Sequence, residues 1–311
     1  MVLCVTPNPC VDKTLFMETL EPGHKHVASR WSAVPGGKGN NVARAVKALG
    51  GRSAAMVLVG GHAGRHVVDM IEHDDEVTCY PVWLRDNTRT ITTVLESSIH
   101  RQTPLFEPGP TVTREELDTF RAEFARRLKE ARLVTLNGTV PCRSMETIYR
   151  DLVAMARDAG KPVFLDSHGQ EFAAGLESRP TAVKPNLRET EELVGFALDT
   201  EEARWRAVEA FHQKGIELVI LSLGDEGALV SRGGEHYHVR PPKIQEVNAV
   251  GSGDSLLAAF AIGLLEGMSL HDMAVLGVAA GTANAMNWDI GHFTRAEVRE
   301  TAQRVIITPR E

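Results

Sequence analysis

Cysteine is scarce and scattered in this chain. Cys4, Cys10, Cys79 and Cys142 form no CxxC pair, which excludes a zinc ribbon or a disulfide-stapled scaffold and fits a reducing compartment. Long apolar runs are missing as well. The longest uncharged one, Leu256 to Leu265, is about half a membrane span, so no membrane partner is expected. Met1 to Val5 lack the basic start of a signal peptide, and the expected location is cytoplasmic. Neither charge sign dominates: 34 basic and 41 acidic residues leave −7, which argues against a nucleic-acid binder. Aromatics reach only 5%, and there is no internal repeat and no linker long enough to separate independent domains.

What is present is ordinary globular composition, 43% hydrophobic and 24% charged over 311 residues, with 27 Gly. One domain over residues 1–311 is expected. Apolar runs of three to six residues, Val2–Val5, Ala54–Val59, Leu133–Leu136, Pro162–Leu165, Thr181–Val183 and Leu218–Leu221, read as buried strands. Between them Val42–Leu49, Leu117–Leu128, Ile148–Ala156 and Ala203–Phe211 carry apolar residues at helical spacing. Thr113-Arg-Glu-Glu116 fits a capping box. Strands alternating with helices predict a mostly parallel sheet covered on both faces. Two stretches break the rhythm, about 13–35 and 88–106. They read as antiparallel strands projecting from the main sheet, either a discontinuous β lid or plain surface hairpins. Ser252 to Asn287 reads as two closely packed Ala-rich helices.

Glycine marks the places where chemistry is expected. Gly251-Ser252-Gly253-Asp254 opens a late helix. Its backbone N–H groups and the positive helix end suit a phosphate, and Asp254 on the first turn can take a proton from a hydroxyl. An acidic residue in the first turn is also a common helix start. Pro35-Gly36-Gly37-Lys38-Gly39-Asn40-Asn41 precedes another helix. It is neither a Walker A loop nor a dinucleotide fingerprint, and it offers amides and one cation to hydroxyls or a phosphate. Asn186 and Glu189 can face a hydrated Mg²⁺, or they can simply cap a helix. Ser222-Leu-Gly224-Asp-Glu-Gly227 reads as a turn between strands. His62 and His66 sit four apart without a third ligand motif and read as surface residues.

The order of these motifs resembles the PfkB, or ribokinase-like, family of carbohydrate kinases, from Thr6-Pro-Asn-Pro to Gly291. Glu107-Pro-Gly-Pro110, Val183-Lys-Pro-Asn186 and Ala279-Ala-Gly-Thr-Ala-Asn284 resemble its 1-phosphofructokinase and tagatose-6-phosphate kinase branch. The resemblance implies a three-layer α/β/α sandwich with a small projecting β-sheet lid and an ATP-dependent kinase acting on a ketohexose phosphate. It implies Asp254 as base, with Gly251, Ser252 and Gly253 amides on the transferring phosphoryl. Asp12, Gly37, Lys38, Asn41 and Thr139 would line the sugar site, and Arg89 would approach the sugar's own phosphate. Lys184, Asn186, Ser222, Gly224, Gly227 and Asn284 would line the nucleotide groove. Asn186 and Glu189 would organise Mg²⁺ with ATP through water. A monovalent cation such as K⁺ and a homodimer through the lid are further implications.

Two departures stand out. Relatives carry an Arg that binds the sugar phosphate where this chain has Val27, with Lys25 or Arg30 as substitutes, and a Ser where it has Asn137. The open alternatives are a kinase of an unphosphorylated sugar, polyol or nucleoside, and a non-catalytic nucleotide-binding relative. The −7 total is compatible with an anionic substrate if Lys25, Arg30, Lys38, Arg89 and Lys184 converge on one cleft.

Overall fold

The computed structural model describes residues 1–99 and 101–310; position 100, inside the second lid stretch, and position 311 lie outside the described residues. In chain order the strands are β1 (Val2–Thr6), β2 (Cys10–Met17), β3 (Arg30–Gly36), β4 (Ser53–Gly60), β5 (Thr78–Leu84), β6 (Arg89–Glu96), β7 (Arg101–Phe106), β8 (Leu133–Asn137), β9 (Val163–Asp166), β10 (Ala182–Val183), β11 (Leu218–Ser222), β12 (Ala228–Arg232), β13 (Glu235–Arg240) and β14 (Ile306–Pro309). The helices are α1 (Lys38–Ala48), α2 (Gly61–Asp69), α3 (Arg114–Leu128), α4 (Ile148–Asp158), α5 (Gly169–Glu177), α6 (Leu187–Val194), α7 (Glu201–Gln213), α8 (Ser252–Glu266), α9 (Leu270–Ala285) and α10 (Arg295–Ala302).

Ten strands form the main sheet in the order β14-β13-β12-β11-β10-β9-β8-β1-β4-β5. The run from β11 to β5 is parallel, and β12 to β14 continue it antiparallel. All six strands predicted from apolar runs lie in the parallel run. Successive residues of a strand point to opposite faces, and both faces are covered. Val2, Cys4, Ala55 and Val57 join one core with α1, α8 and α9, while Leu3, Val5, Met56 and Leu58 join a second core with α3, α4 and α7. This is why the strands read as unbroken apolar runs. The result is a three-layer α/β/α sandwich. No helix among the described residues is long and apolar enough to cross a membrane.

A separate four-stranded sheet has the order β3-β2-β6-β7. Each hairpin is antiparallel, as predicted, but the two hairpins join through the parallel pair β2–β6, with Asp12 opposite Ile91. The expectation of antiparallel strands throughout is corrected at that seam. Chain spacing explains the miss: the paired segments lie nearly eighty residues from each other, beyond the reach of a local pattern.

Candidate functional site

The ends of β1, β8, β9, β10 and β11 and the starts of α1, α6 and α8 meet at the carboxyl edge of the parallel strands, where open α/β sheets form their clefts. The start of α8 is set by Gly251, whose φ of 83° is left-handed and whose missing Cβ leaves room for the Ile290 side chain. Only glycine meets both demands without strain. Behind it α9 packs close, because Gly281 would place a Cβ only 3.0 Å from the Ser252 carbonyl. This backbone geometry points Asp254 inward from the first turn, where it is 6% exposed.

Asp254 Oδ2 accepts a 2.7 Å hydrogen bond from Asn41 Nδ2, so the two glycine loops, remote in sequence, share one contact. Burial, and after it the negative charge of Asp166, pushes the Asp254 carboxyl up to about 6, against the pull of Lys38, Lys184 and Asn41. A carboxylate poised near neutrality is suited to accept a proton in its working range.

Asp166, at the end of β9, is a site residue that the sequence reading misses. It is fully buried between two ammonium groups, with Lys38 Nζ 3.0 Å from Oδ1 and Lys184 Nζ 3.2 Å from Oδ2. Burial opposes its charge, but Lys184 and Lys38 hold it below the usual carboxylate range. Burial likewise opposes the charge on Lys38, yet Asp166, Asp254 and Glu189 raise its pKa. The only sequence signal for Asp166 is an acid directly after a buried parallel strand. Asn137 is also fully buried, and its amide donates to Thr135 (2.8 Å) and toward the Val5 carbonyl (3.4 Å).

Of the three amides expected to hold a phosphoryl group, that of Ser252 donates to the Ala249 carbonyl at 3.2 Å. Among the described residues, the amides of Gly251 and Gly253 make no backbone bond of this kind. Lys184 lies against this loop, its Nζ 3.1 Å from where a Cβ on Gly253 would stand. Asn284 is placed differently from a groove-lining residue. Only 1% exposed, it spends its amide on the Val250 carbonyl (2.8 Å), Ser252 Oγ (3.2 Å) and the Gly291 amide (2.8 Å), bracing the loop from behind.

Asn186 and Glu189 form the plain capping box of α6, with both bonds at 2.9 Å. Glu189 uses Oε2 for the cap, while Oε1 faces Lys38 Nζ at 3.7 Å and His168 Nδ1 at 3.8 Å. The capping reading therefore holds, and it leaves one Glu189 oxygen directed toward Lys38 and His168. Ser222 ties the same segment to β11 by donating twice to the Pro185 carbonyl, from N at 3.0 Å and from Oγ at 3.2 Å. Gly224 and Gly227 form the turn just beyond it.

On the other side Gly37 caps α1, and Asp12 lies in β2 with its carboxyl raised by burial against the pull of Arg44 and Arg89. Arg89 Nη2 donates to the Asn8 carbonyl at 3.2 Å, and Asn8 Nδ2 donates to Thr139 Oγ1 at 3.2 Å. The condition of five cations converging on one cleft is not met: Lys38 and Lys184 share Asp166, but Arg30 is stacked on Phe16, 3.8 Å from its ring centroid. Lys25 is exposed in the β2–β3 turn, and Val27 is 94% exposed. Backbone pairing decides this outcome, since Arg30 stands opposite Phe16 in the β2–β3 ladder.

A family model described as pfkB family carbohydrate kinase matches residues 5–287. The structure of phosphofructokinase-2 from Escherichia coli in complex with substrates and products is 27% identical, with a TM-score of 0.88 over 97% of this chain and 98% of that chain. A protein described as a possible 1-phosphofructokinase from Thermotoga maritima shares the fold at 24% identity, with a TM-score of 0.90 over 100% and 99% of the two chains. Arabidopsis thaliana ribokinase complexed with ribose and ATP shares it at 22% identity, with a TM-score of 0.78 over 97% and 98%.

Proposed function

The chain belongs to the pfkB family of carbohydrate kinases, and from that premise we propose that it transfers the γ-phosphoryl group of ATP to a hydroxyl of a ketohexose phosphate: fructose 1-phosphate, fructose 6-phosphate or tagatose 6-phosphate. The observation that carries this reading is the buried Asp254 carboxyl, poised near 6 beside Lys38, Lys184 and an amide loop. In the proposed step Asp254 takes the proton of the acceptor hydroxyl, the freed oxygen bonds to the γ-phosphorus, and the bond to the β–γ bridging oxygen breaks to release ADP. Little covalent work is asked of the protein, so positioning and charge stabilisation dominate. Lys184 and the Gly251 and Gly253 amides would hold the charge on the moving phosphoryl group. Asp12, Gly37, Asn41 and Thr139 would hold the sugar, Arg89 its phosphate, and Ser222, Gly224 and Gly227 the nucleotide.

Among the described residues there is no cluster of three or more His, Cys, Asp or Glu able to hold a metal. The Oε1 of Glu189, which takes no part in the cap and faces Lys38 and His168, would hold a hydrated Mg²⁺ through water, whose chemistry would be to offset triphosphate charge. A monovalent cation would be held by carbonyl oxygens, and those of Val250, Trp288 and Ile290 in the turns flanking the loop keep a second lone pair beside the side-chain hydrogen bond each accepts. The small sheet would act as a lid and as a homodimer contact, since Trp31 and Leu105 stand exposed on one face of it.

An ADP-release screen over these three sugar phosphates, fructose and ribose tests the reading; no turnover with any of them sinks it. One observation favours a second reading, an unphosphorylated acceptor: Val27 is exposed and Arg89 is engaged with a backbone carbonyl. Loss of an ionic hydrogen bond to a sugar phosphate should raise KM about 10- to 100-fold in Arg89→Ala. An unchanged KM would instead support the second reading.

A further inference from the structure

Arg44 lies on α1, one turn beyond Asn41, and is buried. It forms a two-pronged pair with Asp75, Nε to Oδ1 at 2.7 Å and Nη2 to Oδ2 at 2.8 Å, just past the π-helical turn Met70–Asp74. Its remaining donors reach the site from behind. Nη1 donates to the Ile290 carbonyl at 2.8 Å and toward Asn41 Oδ1 at 3.4 Å, and Nη2 points to the Pro35 carbonyl at 3.4 Å.

Each of these contacts has a consequence in the cleft. A side-chain amide can sit either way round. A cationic donor beside Oδ1 selects the orientation in which Nδ2 of Asn41 faces Asp254. The Ile290 side chain fills the space left by the missing Cβ of Gly251, and the next residue, Gly291, bonds the Asn284 amide that braces Ser252. One guanidinium is thus one residue removed from the base and one residue removed from the anion loop.

We propose that Arg44 is a positioning residue that holds the Asn41 amide against Asp254 and, through Ile290, seats the Gly251–Gly253 loop. The proposal rests on the kinase reading above for its effect on turnover, but its geometric core can be tested without substrate. The charged groups facing Asp254 are Lys38 on α1, Asp166 at the end of β9 and Lys184 after β10, while Arg44 itself acts on Asp75 and Asp12. None of these others changes when Arg44 is exchanged for another cation.

The test is a ¹³C titration of aspartate carboxyls in the full chain, with the Asp254 signal identified by its loss in Asp254→Asn. Arg44→Lys keeps a charge opposite Asp75 but lacks the planar fork that serves three partners at once. The paired variant Arg44→Met/Asp75→Asn removes both charges and strands neither in the core. In both, losing the Asn41 bond should raise the Asp254 midpoint by about one pH unit, because that bond favours the charged form. The smaller ionised fraction should lower turnover about fivefold at pH 6 and about twofold at pH 7, with KM for ATP and sugar changed less than about threefold. A midpoint unmoved in both variants overturns the proposal, as does unfolding of both, which would make Arg44 a fold-holding residue only. If the wild type turns over no sugar, the kinase reading fails while the titration still decides the role of Arg44.

Discussion

Asp254→Asn should make the protein more stable at pH 8 while removing its activity. The Asp254 carboxyl is pushed from 3.8 up to about 6, chiefly by burial and then by Asp166. The unfolded chain ionises this group near the lower value and the folded chain near the higher, so between them the folded state keeps a proton that the unfolded state has lost. Stability therefore falls as pH rises through this window, and the full penalty is present above it. Two pKa units at about 1.4 kcal/mol each give roughly 3 kcal/mol at pH 8 and about half of that at pH 5. An asparagine keeps an acceptor for the Asn41 amide and carries no such penalty. Urea unfolding of both forms at pH 5 and pH 8, with equal denaturant slopes, reads the difference. The same variant should lose about 10²- to 10⁴-fold in ADP release, the usual worth of a general base. A variant less stable than wild type at pH 8, or a gain that does not grow from pH 5 to pH 8, would refute the reasoning.

Asp166→Asn should act in the opposite direction on stability, costing about 3–5 kcal/mol because the nearly buried Lys184 ammonium loses its partner; thermal unfolding checks this. It should also move the acid limb of the kcat profile to lower pH, since the Asp166 charge is one of the causes that raise Asp254. A limb that stays in place or moves up would contradict the assignment. Gly251→Ala forces a Cβ into a left-handed backbone and against Ile290, at a cost of at least ~1–2 kcal/mol in unfolding free energy. ADP release should fall at the same time, because the loop must shift; retained activity would show that the loop tolerates displacement.

The parallel strands are legible because burial on both faces leaves Val2–Thr6 or Ser53–Gly60 no polar alternation to obscure them. The glycine loops are legible because a left-handed turn at a helix start leaves a residue-specific trace at Gly251. Strand β12 is legible only as the partner across the Ser222–Gly227 turn, and β13 and β14 leave no such trace: mixed residues on short antiparallel strands, such as Glu235–Arg240, resemble turns and loops. Asp166 escapes because a single carboxylate carries no spacing of its own, and its meaning comes from two lysines 128 and 18 positions away. The resemblance puts Asn284 in the nucleotide groove, but only packing shows its amide turned inward to brace the loop. Local chemistry, then, determined the fold class, the loops and the acid at the start of α8, because burial and backbone strain are written residue by residue. Only the tertiary structure decided that Asn41 meets Asp254, that Lys38 and Lys184 share one carboxylate, and that Arg44 stands behind both halves of the site. Those are distances between residues remote in sequence, and no spacing along the chain encodes them.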